Sequence, residues 1–99
     1  MESTPTRVSY AAVTSIAASA QAGGVQLLAA NQARLGMYVF NDSTAALYLA
    51  YAQTATASAY TVQISPGGFF EMPPNPVYIG VIFGIWAAAN GSARITEVS

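Results

Sequence analysis

Tyr60-Thr61-Val62-Gln63-Ile64 alternates apolar and polar residues, so Tyr60, Val62 and Ile64 fall on one side of an extended chain and Thr61 and Gln63 on the other. That is the pattern of a half-buried β-strand. On the N-terminal side, Leu35 to Phe40 and Leu47 to Tyr51 carry apolar residues on both faces, as expected of strands covered by the core on one side and by a second layer or a partner on the other. On the C-terminal side, Val77 to Trp86 sets Val77, Ile79, Val81, Phe83 and Ile85 on one face and Tyr78, Gly80, Ile82, Gly84 and Trp86 on the other. It reads as the central strand, with its glycines marking bends, bulges or close approach of another group. Ile95 to Val98 reads as the final strand, joined to it through Asn90-Gly91, a dipeptide that suits a type I′ hairpin turn.

Gly23-Gly24, Asn41-Asp42-Ser43-Thr44, Pro66-Gly67-Gly68 and Pro73-Pro74-Asn75-Pro76 are turn or loop signals between these segments. Their spacing predicts an all-β fold, a compact antiparallel β-sandwich or barrel. Ala11 to Ala22 is rich in Ala and Ser and admits a helical reading, but Val8, Tyr10, Val13, Thr14 and Ile16 favour extended chain and no cap closes a helix before Gly23. Residues 1–24 are therefore read as an N-terminal extended arm or first strand, and residues 25–99 as the β-sandwich domain. The length of 99 residues suits one domain.

Charge sets the strongest bound on function. Only 7% of residues are charged, with three Lys plus Arg, four Asp plus Glu, no His and a net charge of −1, where an ordinary soluble domain carries about 25%. So small a charge steers the chain to neither nucleic acid nor anionic lipid. Interspersed charge is also what keeps small domains apart in solution, and here it is nearly missing. Either neighbouring proteins cover the surface or the chain sits in a membrane. The longest apolar run, Val77 to Ala89, is interrupted by Gly80 and Gly84 and falls short of the roughly 20 residues a spanning helix needs. No membrane partner is expected. The Met1-Glu2-Ser3-Thr4-Pro5 start has no basic stretch leading into an apolar one, so no signal peptide is expected and an intracellular origin is the default.

Histidine, cysteine and lysine are all absent, which removes the usual general bases, thiolate nucleophiles and Schiff-base amines. Asp42, Glu71 and Glu97 leave a paired-carboxylate site formally open, but Asp42 is placed in a turn and Glu97 near the C-terminus, with no cleft between them. The expectation is no enzyme, no cofactor and no metal. Gly67-Gly68 lacks the Lys-Ser/Thr of a phosphate loop, and Asn41-Asp42-Ser43 reads as an Asx-type turn rather than a calcium site. Arg34, Glu71, Arg94 and Glu97 lie beside expected strands. They are either solvated surface residues or Arg–Glu pairs that bridge strands or subunits. Six Tyr, four Phe and one Trp exceed what a thin core requires. Tyr38, Phe40, Tyr48, Tyr51, Phe69, Phe70 and Trp86 are the interface candidates, with a sugar-stacking platform on Tyr38, Phe40, Tyr48 and Tyr51 as the rival.

Asn31-Gln32-Ala33-Arg34, Val39-Phe40-Asn41-Asp42-Ser43, Leu47-Tyr48-Leu49, Tyr60-Thr61-Val62, Pro66-Gly67-Gly68-Phe69-Phe70-Glu71, Tyr78-Ile79-Gly80, Ile85-Trp86 and Asn90 to Glu97 follow one another in a distinctive order and spacing. Together they resemble small virion proteins of tailed bacteriophages. The resemblance implies a non-enzymatic β-sandwich virion protein without cofactor. It implies attachment to the capsid or to the neck and tail, and the leading reading is a head decoration or minor capsid protein, assembled in the host bacterial cytoplasm, that binds the major capsid protein or other virion proteins as a homo-oligomer. A neck or tail protein of the same fold and a carbohydrate-binding module on the virion surface are the alternatives. The Ala-rich N-terminal part lies outside the resemblance.

Overall fold

Alternation along the chain resolves into two sheets that share one core. The structure, a computed structural model, describes residues 8–99. Within them run β1 (Ala11–Ala17), β2 (Val25–Leu28), β3 (Gly36–Asp42), β4 (Leu47–Ala50), β5 (Val62–Ile64), β6 (Phe69–Glu71), β7 (Ile82–Trp86) and β8 (Ser92–Val98). The front sheet has the order β1-β8-β3-β6 and the back sheet β2-β7-β4-β5, four strands each. Every pairing is antiparallel. The all-β sandwich expected from the sequence is the fold that forms. The start of the chain, for which no leader is expected, and the first residues of the arm lie outside the described residues.

Met37, Val39, Ala93 and Ile95 of the front sheet face Leu27, Leu47, Leu49, Ile64, Ile82 and Trp86 of the back sheet, and Met72 closes the core beside β6. Burial of a Leu, Ile, Val or Met side chain contributes about 1.5–3 kcal/mol. Gly84 of β7 lies between Leu27 and Leu47, and a Cβ there would come within 2.8 and 2.9 Å of their Cδ1 atoms. Close approach by large side chains is the reason for this glycine.

Three sequence expectations change. The central strand starts at Ile82, not Val77, because the carbonyls of Tyr78 and Gly80 accept hydrogen bonds from Arg34 Nη1 and that of Ile79 accepts one from Asn31 N instead of entering a ladder. Asn90-Gly91 is not a hairpin turn, since β7 and β8 belong to different sheets and the segment crosses between them. Only Gly91 takes a positive φ, 80°, while the Asn90 Oδ1 accepts from Thr44 N and Oγ1. A Cβ on Gly91 would strike Asp42 O and Ser43. Asp42 ends β3 instead of sitting in a turn. Ala11–Ala17 takes the strand form of the expected arm or first strand: its whole length pairs with β8, from Ala11 opposite Val98 to Ala17 opposite Ser92.

Two strands were not anticipated. β2 is four residues long with a register shift between Gln26 and Leu28, and β6 has three residues. Neither is long enough to establish a period.

Candidate interaction surface

The outward face of the front sheet is built from alternate residues of its four strands. Across one row lie Phe69 of β6, Phe40 of β3, Arg94 of β8 and Ser15 of β1; across the next lie Glu71, Tyr38, Thr96 and Val13. Because Met37, Val39 and Asn41 point inward, Tyr38 and Phe40 must point out. Phe69 is 63% exposed, Val13 76%, Tyr38 38% and Phe40 37%. Tyr38 and Phe69 stack with ring centroids 6.1 Å apart and an interplanar angle of 20°. The stack is rimmed by an exposed ion pair, Arg94 Nε to Asp42 Oδ2 at 2.8 Å. Three exposed aromatic rings lie on one face with Arg94 beside Phe40 and Glu71 beside Tyr38, and aromatic residues and Arg are the types enriched at protein interfaces.

The remaining aromatic candidates lie elsewhere. Trp86 is corrected from interface to core: it is 1% exposed, and its indole Nε1 donates to Asn41 Oδ1 at 3.1 Å. Phe70 alternates with Phe69 and packs inward against the core. Tyr48 lies half-buried on the outer side of the back sheet, its ring 5.0 Å from that of Tyr60. Tyr51 packs on the core and stacks on Tyr78 at 4.5 Å. An open cleft of about 380 Å³ runs beside it, lined by Ala50, Tyr51, Ala52, Thr54, Ala59, Tyr60 and Thr61. The expected stacking platform is thus split, with Tyr38 and Phe40 on the outer side of the front sheet and Tyr48 on that of the back sheet.

The charged candidates sort into one buried and one exposed pair. Arg34 Nε donates to Glu97 Oε2 at 2.7 Å, with the arginine side chain fully buried. Its Nη1 donates to the carbonyls of Tyr78 and Gly80 and its Nη2 to that of Ala29, so one guanidinium ties two loops to β8. Arg94 pairs with Asp42, not with a glutamate. Glu71 is corrected: it is exposed and has no ion-pair partner among the described residues, because Tyr38 is the residue opposite it.

Sequence reasoning missed Asn41. It is fully buried; its Nδ2 donates to the carbonyls of Ala45, Ile64 and Ser65, and its Oδ1 accepts from Trp86 Nε1 and Ser43 Oγ. Two-residue alternation from Met37 through Val39 to Asn41 was the available signal. Tyr51 Oη is buried without a hydrogen-bond partner among the described residues. Desolvation raises its pKa above the ordinary tyrosine value, Arg34 lowers it in part, and Tyr78 adds to the rise.

Among the described residues, no group of three or more His, Cys, Asp or Glu side chains is placed to hold a metal ion. No known protein family, curated protein or solved structure matches this chain.

Proposed function

We propose that this chain is a non-enzymatic structural subunit that docks onto other proteins of a large assembly through the outward face of its front sheet. The observation that carries this reading is the cluster of Tyr38, Phe40 and Phe69, exposed on one rigid face of a chain with only 7% charged residues. Its mechanism is burial: an interface of standard size covers roughly 1,600 Å², and repetition over many copies turns modest affinities into a durable particle. The resemblance of residues 31–98 to phage virion proteins supports a head decoration or minor capsid role, with neck or tail as the other location. A density map of the particle that carries the chain tests this. The expected result is a neighbouring protein lying over Tyr38, Phe40 and Phe69; a front face open to solvent would overturn the proposal.

The cleft beside Tyr60 favours one second reading. An exposed tyrosine ring flanked by the Thr54 and Thr61 side chains has the makings of a weak sugar site on a virion surface. A glycan array probed with the purified chain decides it, and binding that survives Tyr60→Ala would remove the cleft from consideration.

A further inference from the structure

Each sheet has two edges, and three of the four are blunted. β5 and β6 are three residues long, and β2 is four residues long and broken by a register shift. Short edges and bulges are the devices by which β-proteins avoid pairing with other chains. β1 has none of them: it runs seven residues, Ala-Ala-Val-Thr-Ser-Ile-Ala, with no charge, no proline and no bulge.

The ladder also fixes which groups face away. Tyr10 and Ser99 exchange both backbone hydrogen bonds, and Ala18 N donates to Gly91 O. By alternation the even-numbered residues of β1 turn their N–H and C=O toward β8, so those of Ala11, Val13, Ser15 and Ala17 point to the open edge. No described residue pairs with that edge.

We infer that β1 is a strand-addition site for a second copy of this chain, paired antiparallel about a twofold axis at Thr14. The strand is complementary to itself in that register. Full overlap of Ala11–Ala17 sets Val13 opposite Ser15 and Ile16 opposite Ala12, a larger side chain beside a small one on each face, and joins two front sheets into one. Their exposed Val13 side chains extend the Tyr38, Phe40 and Phe69 surface across the junction. A donor strand from a different protein would have no reason to match this self-complementary pattern of sizes. The inference rests on the reading of the chain as an assembly subunit and names its first partner.

The contact is small against a standard interface, so the free chain should dimerise weakly, with half-association on the order of 100 µM. The chain has no cysteine, which makes single-cysteine variants clean reporters. Across the axis Thr14 forms a non-hydrogen-bonded pair with Cα atoms about 4.5 Å apart, within disulfide reach. Under diamide, Thr14→Cys should cross-link at least about tenfold faster than Ser58→Cys in the remote Thr56–Ala59 loop. Thr14→Lys and Thr14→Glu should each sediment as monomers and associate when mixed, since the exposed Thr14 side chain takes no part in the core. Equal cross-linking rates, or a monomer at all concentrations with no charge rescue, would overturn the inference. That failure leaves the front-face reading intact, because the particle map tests it separately; a foreign strand on β1 in that map would likewise overturn only the second-copy assignment.

Discussion

Trp86 of the back sheet donates its indole N–H to the Oδ1 of Asn41 on the front sheet at 3.1 Å, at a point where both side chains are sealed from solvent. Asn41 Nδ2 in turn donates to the carbonyls of Ala45 and Ile64, at 2.8 and 2.9 Å. One amide therefore joins the indole to the carbonyls of Ala45, in the loop after β3, and Ile64, at the end of β5, where the sheets meet.

Asn41→Leu keeps volume and removes the amide. It leaves the buried Trp86 Nε1 without its acceptor, at about 1–3 kcal/mol, and removes a donor from the Ile64 carbonyl, whereas Ala45 O keeps Ser43 Oγ and Ser65 O keeps Gly68 N. Urea denaturation should report a loss of about 2 kcal/mol with the slope unchanged. A loss below about 1 kcal/mol would mean that water reaches these groups and the network is not sealed.

The two ion pairs should behave differently. Arg34 is fully buried, whereas Arg94 and Asp42 are both largely exposed. Arg34→Met strands Glu97 and three carbonyls and should cost about 3–5 kcal/mol; Arg94→Gln should cost about 0.5 kcal/mol and less in high salt. Comparable losses in thermal unfolding would refute the distinction.

Tyr51 adds a pH dependence with a definite sign. Its hydroxyl is neutral in the fold, and burial raises its pKa above the unfolded value, near 10. The unfolded chain therefore releases this proton first, so stability holds below about pH 10 and falls as pH rises through the folded pKa. Tyr51→Phe should flatten that fall relative to the unaltered chain and cost nothing at neutral pH, because the hydroxyl has no partner to lose. Urea midpoints across pH 8 to 11 check both statements. An equal slope in the two proteins would place the alkaline transition on other tyrosines.

Legibility followed from how many neighbours a residue needs before its role is determined. Local alternation marks β5, although the strand starts at Val62 and Tyr60, expected on its buried face, is exposed and packs its ring on Tyr48; the apolar run Leu35 to Phe40 marks β3. Trp86 was assigned to a surface because aromatics were counted, although Ile82, Gly84 and Trp86 share the inward face of β7 and the same alternation places the ring inside. Asn41 was hidden by the turn chemistry of the residues after it. The early end of the expected central strand depends on Arg34, more than 40 residues away in the chain, and no local pattern encodes so distant a donor. Arg34 and Glu97 were correctly singled out by the scarcity of charge, yet their pairing was not, because four charges admit several partners.

Phe69 separates docking from folding. Its ring is 63% exposed and contacts Tyr38 only by a 6.1 Å stack, so Phe69→Ser should change unfolding free energy by no more than about 1 kcal/mol. If this face exists to be covered, the same substitution should raise the ammonium sulfate concentration at which the chain precipitates and weaken retention on the particle at least about tenfold, the loss expected for truncating a central aromatic anchor. Phe70→Ser, one residue along and packed against the core, should do the reverse, lowering stability by about 3 kcal/mol while any folded fraction still binds. If Phe69→Ser unfolds early and still binds, then this ring serves the sandwich and not a neighbour.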